Sequence, residues 1–124
     1  YFYAPHSRHT GVKREDIVKN DELVILAESE EAGVFLFMTK DGSKIFVMGH
    51  PEYDRMTLSN EYHRDVAKGL NPALPKNYFT DNNPFSRPVL CWRNFSNTLY
   101  ANWLNFYVYQ NTPYELSNNF DWVI

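Results

Sequence analysis

The sequence contains a single cysteine and no excess of basic residues, and each shortage excludes a class of protein. One cysteine among 124 residues excludes an internal disulfide and a zinc site built on cysteines. Twelve lysine and arginine residues against 15 aspartate and glutamate residues give a net charge of −3. Because this balance provides no basic field for nucleic acid or for anionic lipid, we expect neither as a partner.

Long apolar runs are also missing. The longest run, residues 33–38, is the size of a strand, whereas a membrane-spanning helix needs roughly 18 residues. The N-terminus, residues 1–5, lacks the basic start and the apolar stretch of a signal peptide. A lone thiol is normal in a reducing compartment, so we expect a cytoplasmic location.

What remains is a chain of the length of one domain, residues 1–124, with 17% aromatic residues. It begins with Tyr1 rather than methionine, and residues 1–3 resemble the end of a strand. We therefore expect a piece of a longer protein.

The order of apolar segments predicts an α/β fold. Short apolar runs at residues 23–27, 34–38 and 45–48 predict three strands, and Asp41-Gly42 predicts a hairpin between the last two. Helical spacing predicts helices over residues 56–68, with Leu58, Tyr62 and Val66 on the buried face and Gly69 as the cap, and over residues 94–110. Four prolines between residues 72 and 88 predict an extended crossing.

His50-Pro-Glu52, directly after the third predicted strand, is the strongest chemical signal. Histidine accepts a proton near neutral pH, and a carboxylate two residues later can orient its ring. In open α/β sheets, ligands bind beyond the carboxyl ends of the strands, which is where this turn falls. The alternative is an exposed polar turn without a catalytic role.

Two further segments carry polar side chains suited to a substrate. In residues 6–9, Ser7 could hydrogen-bond a substrate and Arg8 could hold a carboxylate, although the segment could equally be a turn that satisfies its own backbone. Arg64 lies on the helix after the His50 turn, within reach of the same pocket, but charged residues in mid-helix usually form a solvated face. The histidines lack the ordered spacing of a metal site, and we expect none.

Cys91 has bulky neighbours, Leu90 and Trp92, and no glycine beside it. A nucleophile elbow needs small neighbours, so we interpret Cys91 as a structural, partly buried cysteine. Candidates for a base and its partner are present, but no candidate nucleophile accompanies them.

Several segments together resemble the homoserine O-acyltransferases, the homoserine O-succinyl- and O-acetyltransferases of methionine biosynthesis. They are Pro5-His-Ser-Arg-His-Thr10, Leu26-Ala-Glu-Ser-Glu-Glu-Ala-Gly33, Gly49-His-Pro-Glu-Tyr-Asp54, Glu61-Tyr-His-Arg-Asp65, Gly69-Leu-Asn-Pro72 and Asn102-Trp-Leu-Asn105. The resemblance runs in order through nearly the whole chain and covers the C-terminal part of the family's length.

The resemblance implies the C-terminal portion of a class I glutamine-amidotransferase-like fold and ping-pong acyl transfer through a cysteine thioester. It places the base on His50, its partner on Glu52, and homoserine binding on Ser7 and Arg64. It implies a nucleophile in an upstream part of the protein, and acetyl-CoA or succinyl-CoA as co-substrate without a further cofactor. A homodimer is a possible assembly. Two alternatives remain: an amidotransferase-like amide hydrolase that uses the same turn, and a non-catalytic module whose aromatic helix docks on a partner.

Overall fold

The computed structural model describes residues 1–112, and within them the chain forms a small α/β arrangement of one antiparallel sheet and several helices. The α-helices and β-strands are α1 (Arg14–Val18), β1 (Leu23–Ser29), β2 (Gly33–Thr39), β3 (Ile45–Val47), α2 (Thr57–Ala67) and α3 (Arg93–Asn102). A 3₁₀ turn covers Thr80–Asn82, and a π-helical segment, Trp103–Val108, continues α3.

The sheet is a meander in the order β1-β2-β3, with both neighbouring pairs antiparallel. Gly42 adopts a φ of +73° in the β2–β3 turn, which a glycine tolerates without the steric cost of a side chain. The three strands and this hairpin confirm the prediction. The rule for ligands beyond parallel strands does not apply here, because no parallel pair occurs in residues 1–112.

The expected strand at the start of the chain is wrong. Residues 1–13 contain no strand, and one backbone hydrogen bond, from the His50 amide to the Pro5 carbonyl at 2.7 Å, joins them to the turn after β3. Proline has no N–H group, so Pro5 could not donate to a ladder. The segment is held by side chains instead.

The described residues contain two groups of buried side chains. One lies between α1 and the sheet, and the other lies between α2, the proline-rich crossing and the start of α3. The first comprises Ile17, Val34 and Phe37, and the second comprises Leu58, Tyr78, Phe79 and Trp92.

Helix α2 follows the predicted range to within one residue at each end, and Gly69 caps it with a φ of +72° and an amide bonded to the Val66 carbonyl. Leu58 is buried and Tyr62 is half-buried as predicted, whereas Val66 is 49% exposed. The prediction that Val66 lies on the buried face is therefore wrong.

The last helix begins at Arg93, one residue from the prediction, and continues as the π-helical segment to Val108. Its aromatic face is only partly covered: Phe95 and Leu99 are half-buried, but Trp103 is 42% and Phe106 57% exposed. An apolar cleft of about 560 Å³ lies between this helix and the sheet. None of the helices in the described residues is both long and apolar enough to span a membrane.

Candidate functional site

The turn after β3 is fixed by close backbone packing. The Met48 amide bonds to the Phe35 carbonyl at 2.7 Å, and the His50 amide bonds to the Pro5 carbonyl at the same distance. Gly49 is buried between them, and a Cβ atom there would lie 2.8 Å from a ring carbon of Phe35 and 2.9 Å from the Pro5 oxygen. A glycine at this position therefore lets the N-terminal strap, defined as residues 5–8, lie directly against the turn.

Arg8 fastens the N-terminal strap to the sheet. Its Nη1 donates to the Met48 carbonyl at 3.0 Å, and its Nη2 donates to the Ala32 carbonyl at 2.8 Å. Each terminal nitrogen thus donates one hydrogen to a main-chain oxygen, and the interpretation of Arg8 as a holder of substrate carboxylate stays a prediction. This arginine positions the polypeptide beside the turn.

His50 and Glu52 are brought together as predicted. The His50 Nδ1 atom lies 2.8 Å from Glu52 Oε1, and the two side chains are 37% and 52% exposed. With Nδ1–H donated to the carboxylate, Nε2 carries the lone pair that can accept a proton. The pair has the geometry of a general base with an orienting carboxylate.

Glu52 accepts a second hydrogen bond from α3: the Tyr100 hydroxyl donates to Oε2 at 3.3 Å. Burial acts to raise the pKa of Glu52, but the hydrogen bond from His50, a backbone hydrogen bond of Glu52 itself and the charge of His50 outweigh it, with a smaller part from Tyr100, and the pKa is lowered overall. The carboxylate thus stays ionised at neutral pH, as a partner of an imidazolium must.

Tyr53 and Glu61 are site residues that the sequence analysis missed. The Tyr53 ring stacks on the His50 ring, with centroids 4.4 Å apart and planes 11° from parallel. The Tyr53 hydroxyl donates to Glu61 Oε1 at 2.8 Å. The half-buried Glu61 side chain thus turns inward to this phenol. The aromatic residue directly after His-Pro-Glu is the one signal in the sequence that could have found the pair.

Ser7 and Arg64 approach the same group from two sides. The half-buried Ser7 interacts with the Tyr53 hydroxyl and acts to lower the pKa of Tyr53. Arg64 lies one turn beyond Glu61 on α2, and its Nε donates to Asp65 Oδ1 at 2.8 Å. This hydrogen bond, and more weakly the charge of Glu61, raise the pKa of Arg64. Within residues 1–112 the terminal nitrogens Nη1 and Nη2 make no hydrogen bond, and they lie on an exposed side chain.

The other histidines do not converge on a metal site. His63 Nε2 donates to the Pro84 carbonyl at 2.8 Å, and its ring packs among Tyr62, Phe79 and Phe85. Across residues 1–112, no three His, Cys, Asp or Glu side chains are grouped so that they could hold a metal ion.

Cys91 is exposed, and the prediction of a partly buried cysteine is wrong. Pro88 and Trp92 take the interior positions on either side of it. The extended backbone between them therefore directs Cys91 outward.

Comparison with known proteins decides the family. A model of the family described as homoserine O-succinyltransferase matches residues 1–114, which is most of the chain. The chain belongs to the homoserine O-succinyltransferase family. The predicted resemblance to homoserine O-acyltransferases is thereby confirmed.

Named relatives of this family agree with the match. The chain is 64% identical over 118 residues to a homoserine O-acetyltransferase of Agathobacter rectalis, covering 95% of this chain and 38% of the relative. It is 64% identical over 115 residues to one from Lachnoclostridium phytofermentans (93% and 38%), and 58% identical over 116 residues to one from Acetivibrio thermocellus (94% and 38%). The chain thus spans about 38% of the length of these relatives.

Proposed function

We propose that this chain is the C-terminal portion of an acyltransferase that moves an acetyl or succinyl group from acyl-CoA to the hydroxyl of L-homoserine. The observation that carries the proposal is the 2.8 Å contact between His50 Nδ1 and Glu52 Oε1, in a chain of the homoserine O-succinyltransferase family. A class I glutamine-amidotransferase-like fold, a cytoplasmic location and a role in methionine biosynthesis belong to the same proposal.

The chemistry proposed for His50 is proton transfer. In the first half-reaction, a cysteine outside residues 1–124 gives its thiol proton to His50, and the resulting thiolate attacks the thioester carbonyl of acyl-CoA. The acyl group passes to the cysteine as a new thioester, and the leaving CoA thiolate takes the proton from the imidazolium. In the second, His50 Nε2 removes the proton from the homoserine hydroxyl as its oxygen attacks the thioester carbonyl. The thiolate leaves, and the imidazolium returns the proton to it. Glu52 holds the ring and stabilises its positive charge between these steps.

Ser7 and Arg64 are the residues that we propose for homoserine binding. Arg64 keeps two terminal nitrogens available beside the group formed by Tyr53 and Glu61, and a guanidinium fork binds a carboxylate through two such donors. Ser7 lies on the strap beside the base, where its hydroxyl can hydrogen-bond the amino acid.

Acetyl-CoA and succinyl-CoA are the two candidate acyl donors. The family description names succinyl transfer, whereas the relatives are named for acetyl transfer. Exposed aromatic side chains on the π-helical segment after α3, such as Trp103 and Phe106, support the proposal that further protein packs on this portion, since monomers rarely expose large apolar patches. A homodimer remains the candidate assembly.

The test is acyl transfer by the complete natural protein that contains these residues, assayed with acetyl-CoA and with succinyl-CoA. We expect His50→Ala to lower kcat by roughly 10²–10⁴-fold, the usual contribution of a positioned acid–base group, and Glu52→Gln to lower it by a smaller factor. His9→Ala, which changes an exposed histidine on the adjoining segment, is the matched control and should retain activity.

Three results would reject the proposal. One is undiminished transfer by His50→Ala. Another is release of ammonia from glutamine without formation of O-acylhomoserine, which would identify an amide hydrolase. The third is the absence of both reactions in the folded complete protein, which would identify an interaction module.

A further inference from the structure

We propose that Tyr53 is a positioning residue: it fixes the position of the base His50 relative to the homoserine-binding Ser7. This inference rests on the proposed function, and it assigns Tyr53 a role in homoserine transfer that its place in the turn alone does not require.

The ring of Tyr53 packs against one face of the His50 imidazole. It lies parallel to the imidazole at 4.4 Å, and its own backbone is fixed on both sides. The Tyr53 amide donates to the His50 carbonyl at 3.1 Å, and the buried Trp92 donates its Nε1–H to the Tyr53 carbonyl at 2.9 Å. The imidazole therefore has a rigid flat surface on one face, which limits its rotation about the bond to Cβ.

The hydroxyl of Tyr53 lies on the side where we propose that homoserine binds. It donates to Glu61 Oε1 at 2.8 Å. The hydrogen bond from the His50 amide to Pro5 places Ser7, two residues further along the strap, beside the same turn, and Ser7 acts to lower the pKa of Tyr53. Burial, together with the hydrogen bond to Glu61, raises the pKa of Tyr53 to about 12, so the phenol keeps its proton at any assay pH near neutrality. Glu61 Oε2 is buried and has no hydrogen-bond partner within residues 1–112, which leaves the phenol as the donor that fixes this carboxylate.

The ring and the hydroxyl of Tyr53 therefore have different roles. The ring acts on His50, which serves both half-reactions, and the hydroxyl acts on Ser7, which serves only the transfer to homoserine. Removing the hydroxyl while keeping the ring should therefore damage one half-reaction selectively. A purely structural role would damage both.

The experiment compares Tyr53→Phe and Tyr53→Leu in the complete protein, with the two half-reactions assayed apart. We expect Tyr53→Phe to raise KM for homoserine about three- to tenfold, the effect of one lost hydrogen bond, and to leave acylation by acyl-CoA unchanged. Tyr53→Leu should slow both half-reactions. Tyr62→Phe, a tyrosine on α2 whose ring packs against Phe79, is the control and should change neither.

Coupling to Ser7 is measured with the double variant Ser7→Ala/Tyr53→Phe. If the hydroxyl acts through Ser7, Tyr53→Phe should have a much smaller effect on KM in the Ser7→Ala background. Glu61→Gln keeps an oxygen that can accept from the phenol, so it should leave acylation unchanged and raise KM for homoserine less than Tyr53→Phe does. This second variant keeps the test decisive if Tyr53→Phe fails to fold.

Wild-type kinetics in Tyr53→Phe, equal loss in both half-reactions, or additive effects in the double variant would overturn the inference. If His50→Ala is inactive while Tyr53→Phe behaves as wild type, only the role of Tyr53 is rejected. If His50→Ala retains full transfer, the proposed function itself is rejected.

Discussion

Arg64 shows how a single side chain can be held in place and still be available to a ligand. Its Nε is engaged by Asp65 at 2.8 Å, which orients the guanidinium plane while the terminal nitrogens stay exposed. We expect Arg64→Ala to reduce kcat/KM for homoserine by roughly tenfold or more through loss of a charge-assisted pair. Acylation by acyl-CoA should be nearly unchanged, because the thioester forms before homoserine is needed.

The measurement for Arg64 is again the two half-reactions assayed separately, with Arg64→Lys as the matched variant. Lysine should recover only part of the loss, because an ammonium cannot reproduce the planar fork. Equal damage to both half-reactions would indicate a folding defect. Unchanged kinetics would assign Arg64 to the solvated face of α2.

At the same scale, the sequence allowed the pairing of His50 with Glu52 to be predicted because both residues lie in one turn with a proline between them. The contact between Tyr53 and Glu61 could not be predicted in this way, because it depends on how α2 packs against the turn. The bonds from Arg8 to the sheet could not be predicted for a similar reason: its two carbonyl partners, on Ala32 and Met48, lie 24 and 40 residues away.

Among the elements, the turn between β3 and α2 depends most on one small residue. Gly49→Ala would place a Cβ atom 2.8 Å from Phe35 and 2.9 Å from the Pro5 oxygen. Because one neighbour is a buried ring and the other is backbone, we expect a loss of about 1–3 kcal/mol in the free energy of unfolding. Gly11→Ala, where the nearest atom is 3.7 Å away on Arg8, is the control and should change it by less than about 0.5 kcal/mol.

Chemical denaturation of the complete protein and both variants checks this prediction. A Gly49→Ala variant as stable as Gly11→Ala would mean that the strap yields easily and does not fix the turn. Destabilisation of Gly49→Ala together with slower acyl transfer would show that the same packing supports the base.

The elements themselves were largely predictable, and the exceptions have a common cause. The three strands, the hairpin at Gly42 and helix α2 follow from local patterns of apolar residues and turn signals. The N-terminal strand was wrong because residues 1–8 are placed by contacts with residues far along the chain. The exposure of Val66 and of Cys91 likewise depends on which neighbouring segments reach them.

For the molecule as a whole, the proposed division of labour makes a prediction about the 124-residue chain alone. The thioester-forming cysteine of the proposal lies outside this sequence, so the pure chain should form no O-acylhomoserine from homoserine and acyl-CoA. Mass spectrometry of the reaction mixture checks this, with the complete protein as the positive control. Formation of product that disappears in Cys91→Ala would make the exposed Cys91 the nucleophile and overturn the assignment.

The hydrogen bond between the Pro5 carbonyl and the His50 amide ties the base to a segment 45 residues earlier in the chain. The orientation of His50 is therefore a cooperative property of the tertiary fold, and a local opening of residues 5–8 would release the base while leaving the sheet paired. Such sub-global openings generally have lower free energies than complete unfolding. Together with Glu52 and the Tyr53 ring, the opening equilibrium of the strap then sets the fraction of molecules with a correctly oriented imidazole, so that heat or denaturant would impair proton transfer before the sheet itself melts.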